Sequence, residues 1–508
     1  MLAKVLSYGL LGLMGYPLTV ETDISSGLPA YETVGLPDAV VKESRERVRS
    51  AIKNSGFSFP NSRITVNLAP ADYRKEGSLY DLPIAVSILQ ASGQLGRKPI
   101  EPVMLGELSL DGQVRPVNGV LPMVIDAYAK GFKRFAIPRD NAAEASYIEG
   151  AEIIPVSSLK ELAEHLNGSF PIAPEAMRRF EAAHANYDTD FSEIKGQDTA
   201  KRAALVAVAG GHNILLCGTP GSGKTMLARA IPSILPDLSF DEALEITKIH
   251  SLTGATRGRE SGLITERPFR APHHGASSVS LVGGGSKALP GEVSLAHMGV
   301  LFLDEFAEFR RDVLEALRQP LEDGRITISR SAATSTYPAA FMLVAAMNPC
   351  PCGNRGARLK QCTCTPMQIR RYAHKISGPL LDRIDIHIEM TEVGYSEITD
   401  RRGAESSASL RMRVNRARET QRKRFLGTGI TCNAQMNGEM ARNFCAPDAE
   451  SERLLKAAYQ QLKLSARAYL RILRVARTIA DLDDSVKILP KHYAEAVQYR
   501  SVNILTEV

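Results

Sequence analysis

The chain has 508 residues, 44% of them hydrophobic, and a formal net charge of +6. Its length exceeds one ordinary core and sets an expectation of two to four domains, while the mild basic excess permits an anionic partner without demanding one. With no run of roughly 18 uninterrupted apolar residues, a membrane-spanning helix is excluded, and the expected location is the cytoplasm, where the seven cysteines stay reduced.

Lys4 followed by the apolar run 5–14 resembles a leader peptide superficially, but glycines interrupt the run, Pro17 follows it, and no small-residue cleavage site is evident. Residues 1–168 alternate short β-type runs (64–67, 103–106, 134–137) with helical stretches (38–54, 82–92, 120–130), the pattern of an α/β domain. Residues 169–189, with Pro171 and Pro174 and a charged, helix-like middle, read as a linker. Strand and helix alternation resumes over 190–396 as a second α/β unit with a parallel sheet. From 397 to 508 the pattern is helical, with helices expected over 409–425, 448–462, 466–482 and 491–502.

The most informative stretch follows the apolar run 214–217. Gly218, Thr219, Pro220, Gly221, Ser222, Gly223, Lys224 and Thr225 match the phosphate-binding loop GxxxxGK[ST] at every defined position. Glycines let successive backbone N–H groups turn toward phosphates, Lys224 supplies a point charge, and the Thr225 hydroxyl is a Mg²⁺ ligand. A helix is expected from Lys224 to about residue 231. A second apolar run, 300–303, suits a buried parallel strand and ends in Asp304 and Glu305. Asp304 in that position holds Mg²⁺ and Glu305 polarises the attacking water. Together the two motifs point to ATP hydrolysis rather than binding alone.

Three further patterns each carry two readings. Cys350 and Cys352 are followed, nine residues on, by Cys362 and Cys364, either a tetrahedral Zn²⁺ site or four free thiols in a loop. Arg411, Arg413, Arg416, Arg418, Arg422, Lys423 and Arg424 make a basic helix, either a solvated face or a nucleic-acid contact. In the helix from Ala466, Tyr469, Leu473, Ala476 and Ala480 form a core face, and Arg467, Arg471 and Arg474 a stripe that is either solvated or aimed at a nucleotide.

Taken together, these residues resemble an AAA+ ATPase, and closely the magnesium-chelatase-like ComM/YifB family, over nearly the whole chain. The resemblance implies that residues 191–197 pack by the adenine, and that Asn348, ending the run 341–347, is sensor 1. It implies that the segment 377–385 carries an arginine finger, Arg383, acting on ATP bound by a neighbouring subunit, and that Arg467 is sensor 2. A finger supplied in trans implies a ring, and the family a homo-hexamer. About 75 residues separate the two nucleotide motifs, and they include a Gly/Ser-rich stretch through Gly283 and Lys287 that looks like an inserted pore loop. The run 324–330 alternates like a hairpin arm, with Arg330 where related helicases place a basic pore residue; Lys287 and Arg330 are thus the expected DNA contacts.

The same resemblance makes residues 1–168 a Lon-protease-like domain. Residues 75–81 match the stretch carrying the Lon nucleophile, but Leu79 stands at the nucleophile position, and the region 116–123, where the Lys should fall, contains none. Ser78, one residue away, has no readable base, so proteolysis is not expected. The implied function is an ATP- and Mg²⁺-dependent hexameric motor on single-stranded or branched DNA, a branch-migration helicase in recombination or natural transformation. Two alternatives stand beside it: a chelatase-type protein-remodelling ATPase, and an ATP-dependent DNA-binding regulator without translocation.

Overall fold

The computed structural model of the protein describes residues 2–96, 98–181, 189–285, 288–329, 334–357, 360–394, 397 and 405–501. Lys287 and Arg330 lie outside the described residues. The apolar run at the start of the chain forms one arm of a long hairpin. Strand β1 (Leu2–Leu11) pairs antiparallel with β2 (Met14–Ser25), and Val5, Tyr8, Leu18 and Val20 are buried. The sheet is completed by β3 (Ala30–Val34) and β4 (Arg63–Ala69), in the order β1-β2-β4-β3. The helix Ala39–Asn54 starts where the Asp38 carboxylate accepts the Val41 N–H at 2.7 Å, an N-cap that satisfies an otherwise orphaned donor. The helix Asp81–Ala91 is buried along its whole length. Behind them lies a parallel sheet of β5 (Val103–Met104), β6 (Arg134–Pro138) and β7 (Glu152–Val156).

The segment after residue 169 is a strap rather than a free tether. Its described part, through residue 181, contains no helix despite its charge pattern. The Glu175 N–H donates to Ile153 O at 2.7 Å, and the Phe180 ring lies 5.8 Å from that of Phe240 in the next unit. The two units also meet directly: the helix Val120–Ala129 lies on the helix Phe240–Ser251, and the Arg257 guanidinium donates to Asn118 Oδ1 at 2.7 Å.

The second sheet consists of β8 (Ile214–Gly218), β9 (Phe269–Arg270), β10 (Val300–Leu303), β11 (Met342–Met347) and β12 (Ile386–Met390), all parallel, in the order β9-β10-β11-β8-β12. Strands β8, β10 and β11 are buried at every residue, as continuous apolar runs covered on both faces must be. Alternation divides them between two cores: Ile214 and Leu216 face one, Leu215 and Cys217 the other. Asp304, Asn348 and the loop after Gly218 therefore all emerge at one edge, the carboxyl ends of adjacent strands, where open α/β sheets place ligands.

The C-terminal region is helical, as its periodicity predicts: Ser407–Arg424, Gly438–Phe444, Ala449–Gln461, Ala466–Leu482 and Pro490–Ser501. Leu473, Ala476 and Ala480 bury the expected face of the fourth helix. Most basic residues of the first are engaged within the chain. Arg424 makes a two-pronged bond to the buried Asp481 at 2.8 and 2.5 Å, Arg416 pairs with Asp484 at 2.8 Å, Arg413 with Glu405 at 3.1 Å, and Arg418 donates to Val208 O. The solvated or structural reading of that helix is the one these contacts favour. No described helix is long and apolar enough to cross a membrane.

Candidate nucleotide site

The loop from Gly218 to Gly223 connects β8 to the helix Lys224–Ala230, one residue shorter than expected because a 3₁₀ turn begins at Ile231. Gly223 caps that helix at φ +88°, a left-handed conformation that only glycine adopts without cost. Two hydroxyls in the loop, Thr219 Oγ1 and Ser222 Oγ, are buried and lack a hydrogen-bond partner. The Lys224 ammonium, nearly buried, donates to Gly218 O at 2.7 Å and Thr219 O at 2.8 Å, and burial lowers its pKa. Orphaned donors and a desolvated cation at a helix N-terminus are the features that fit an anionic phosphate group.

Across the sheet edge, the Thr225 hydroxyl donates to Asp304 Oδ2 at 2.9 Å, so the two residues expected to share Mg²⁺ are already in contact. The other Asp304 oxygen accepts the Glu305 N–H at 2.9 Å. Glu305 itself sits at φ +51°, a strained conformation for a non-glycine residue and one that concentrates at functional sites. Its carboxylate meets His274 Nδ1 at 2.9 Å. His274 stacks on His273 with ring centroids 4.0 Å apart, and the bidentate pair of Arg270 with Glu292, at 2.6 and 2.8 Å, fixes the start of their loop. Thr225, Asp304, Glu305, His273, His274 and Arg229 line one cleft of about 760 Å³.

Gln197, from the segment expected beside the base, donates to Ser222 O at 3.1 Å and Thr391 O at 2.6 Å, tying it to the phosphate loop. Asn348 follows β11 directly, next to that loop. Arg383 and Arg467 are elsewhere. Both line a separate cavity of about 710 Å³ that includes none of Thr225, Asp304 and Glu305. The Arg383 guanidinium donates to Glu322 and, at 2.8 Å, to Pro379 O, and its Nε is buried without a partner. Arg467 approaches the other oxygen of the same Glu322 carboxylate at 3.8 Å. The remaining arginines of the stripe hold the helix in place: Arg471 pairs with Asp385 at 3.1 Å and Arg474 donates to Ala434 O. Burial alone pushes the Asp385 carboxyl up, but Arg471, His212 and the Asn213 N–H hold it well below the usual carboxylate range.

Two residues at these sites carry no motif in the sequence: His274 and Glu322. Of the four cysteines, Cys350 is buried, and the four Sγ atoms lie within 4.8 Å of one another. In the N-terminal unit the Ser78 hydroxyl donates to Glu107, and the buried Lys75 ammonium donates to Pro70 O.

The parallel sheet with this strand order, a phosphate loop after β8 and an Asp-Glu pair after β10 define a P-loop ATPase of the AAA+ type. The family described as magnesium chelatase, subunit ChlI, matches residues 190–398, subunit ChlI of Mg-chelatase matches 20–141, and the ChlI C-terminal family matches 404–500. YifB of Escherichia coli is 45% identical over 498 residues, 97% of this chain and 96% of that protein. Competence protein ComM of Haemophilus influenzae is 43% identical over 507 residues, 99% of this chain and 98% of that protein. A Lon protease of Azospirillum brasilense is 28% identical over 164 residues, 30% of this chain and 20% of that one. The chain belongs to the ComM/YifB family of magnesium-chelatase-like AAA+ ATPases, with a Lon-like N-terminal region.

Proposed function

We propose that the protein is an ATP-hydrolysing motor that works as a ring, with the homo-hexamer of the family resemblance as its form, and that its track is DNA. One observation carries the reading. Thr225, Asp304 and Glu305 line one cleft, whereas Arg383 and Arg467 line another, which supports a single chain presenting two halves of a site rather than a whole one. In a ring, Lys224 and the loop N–H groups bind phosphates, Thr225 and Asp304 hold Mg²⁺, and Glu305 takes the proton from attacking water. Asn348 orients that water, and Arg383 and Arg467 of the adjacent subunit stabilise charge on the γ-phosphate. Mg²⁺ held by Thr225 and Asp304 would supply charge neutralisation on the phosphates.

Support for DNA comes from the placement of two loops. The strands Arg325–Ser329 and Thr334–Pro338 pack against Gly283 and Ala288, with the Tyr337 hydroxyl donating to Ala288 O at 2.9 Å. Lys287 and Arg330, both outside the described residues, fall in sequence within the stretches 283–288 and 325–338. A relative named for competence fits a role in natural transformation, and contacts from such loops to the phosphodiester backbone are independent of sequence. The protein-remodelling reading gains from the basic C-terminal helix, where Arg424, Arg416 and Arg413 pair with intrachain carboxylates and leave less charge to attract a nucleic acid. ATPase rates with no DNA, single strands, duplex and four-way junctions decide between them. Stimulation that is lost in Glu305→Gln supports a DNA motor, and a robust rate indifferent to every DNA moves the assignment to a protein substrate.

A further inference from the structure

We propose that Cys350, Cys352, Cys362 and Cys364 ligate one Zn²⁺ ion, and that this ion braces the polypeptide between Asn348 and the helix Pro366–Ala373 against the phosphate-binding loop. The sulfur geometry comes first. Cys350 and Cys352 Sγ are 3.4 Å apart, and Cys362 Sγ lies 3.6 Å from each of them. A tetrahedron of thiolates at about 2.3 Å from zinc has edges of about 3.8 Å. The four sulfurs thus have the mutual spacing of ligands around a single ion, too close together to surround an iron–sulfur cluster. All-thiolate tetrahedral coordination is the preference of zinc, and elemental analysis tells it apart from a single thiolate-bound iron, the other ion that takes this geometry. The sulfurs also accept backbone N–H groups, Cys364 from Cys352 at 3.4 Å, Cys350 from Arg355, and Cys352 from Asn354 and Thr363. Such bonds orient and stabilise metal-bound thiolates.

The surrounding chain supplies the second argument. Among the described residues from 351 to 365 only Gly353 is buried, so this stretch has no apolar core of its own. Both of its ends are fixed. Cys350 is buried just beyond β11, and Cys364 immediately precedes Thr365, whose hydroxyl caps the helix Pro366–Ala373 in a reciprocal pair with Gln368. A polar loop pinned at both ends by paired cysteines is the architecture in which metal binding replaces a hydrophobic core.

The brace follows from what the loop touches. Gly353, at φ +81°, lies so close to the phosphate loop that a Cβ there would meet Pro220 Cγ at 2.8 Å and Cδ at 2.9 Å, with Asn348 Cγ at 3.8 Å. Tyr372, on the helix that follows the cysteines, has the Asn348 backbone beside its hydroxyl. The metal-bound loop is therefore wedged between Pro220 and Asn348, and the same helix leads on to Arg383. The zinc assignment is independent of the ATPase reading; the brace rests on it.

The test uses the full chain produced in zinc-supplemented medium. Elemental analysis is expected to find about one zinc per chain, falling below about a fifth in the Cys352→Ser, Cys362→Ser double variant and unchanged in Cys432→Ala. Replacement by Co²⁺ is expected to give thiolate-to-cobalt absorption in the wild type. Wild-type protein without stoichiometric zinc and without that absorption overturns the site. For the brace, Gly353→Ala keeps all four ligands: it is expected to retain zinc while weakening binding of a fluorescent Mg²⁺–ADP analogue about tenfold, roughly 1.4 kcal/mol. Zinc removal followed by restoration of Mg²⁺ is expected to do the same. Affinity within twofold of wild type in both cases overturns the brace and leaves the zinc site standing. Zinc-loaded wild type that binds no nucleotide refutes the ATPase reading instead.

Discussion

The two cavities of the ATPase unit are built on opposite principles. The cleft holding Thr225, Asp304 and Glu305 is preorganised by a buried parallel sheet, which delivers its polar groups from the ends of neighbouring strands. The cavity holding Arg383 and Arg467 stores two cations against one carboxylate, Glu322. A cation meant for a phosphate in its own chain has no reason to sit in another cavity with a substitute anion. The difference supports the proposed division: nucleotide binding belongs to one chain and transition-state stabilisation to two.

The sharpest way to break this division is Glu305→Gln. It is expected to lower ATP turnover by about a hundredfold or more, with nucleotide affinity nearly unchanged, because it removes the base without touching the phosphate loop. Loss of affinity of comparable size, measured by equilibrium binding, shows that Glu305 is part of the binding half instead. Glu322→Ala has an intermediate effect. Releasing both arginines from their shared carboxylate is expected to change kcat about fivefold while leaving KM within twofold, since the ATP-binding half is untouched. A change confined to KM assigns Glu322 to the wrong cavity.

His274→Ala sharpens the other half. The 2.9 Å contact with His274 holds the carboxylate of Glu305, a residue whose backbone is strained, so its loss is expected to change the DNA-free rate about threefold and the ratio of stimulated to basal rate with it. A ratio equal to wild type shows the contact to be incidental. The smallest expected effect is on stability. Burial lowers the pKa of His250, which lines the nucleotide cleft, to about 4, and burial together with Arg500 lowers His387 to about 3. The unfolded chain therefore takes up protons first as pH falls. The stability these two rings contribute is present above about pH 6.5 and declines as pH falls from there toward their folded-state values of about 4 and about 3. Thermal melting is expected to drop over that window more steeply in wild type than in His250→Gln; parallel curves remove His250 from the account.

The binding half was legible in the sequence because its chemistry is local: eight adjacent residues and one strand end carry it, and the positions are set by spacing alone. The helical C-terminal region was legible through periodicity, with the helix Ala466–Leu482 at its expected bounds. Glu322 was not legible, because it meets Arg383 across 61 residues of sequence, and nothing at either position marks the other. His274 and Glu305 are joined only by the pairing of β9 with β10. The N-terminal hairpin was hidden because glycines and an apolar run blur the alternation that marks a strand, and the basic helix because charge pattern does not show which carboxylates will fold against it. Local chemistry is written in spacing; pairing between distant elements is written only in the fold.

The central claim, that the site is completed by a second copy, is tested most directly by mixing two inactive variants. Lys224→Ala lacks the binding half and keeps its arginines; Arg383→Ala keeps the binding half and lacks the finger. Each alone is expected to lose about a hundredfold of ATPase activity. Mixed in equal amounts and allowed to reassemble, they are expected to recover at least about a tenth of the wild-type rate, because some interfaces then pair an intact loop with an intact Arg383. A mixture no more active than the sum of its parts, with co-assembly confirmed by native mass measurement, would contradict a finger supplied in trans and return Arg383 to its own chain.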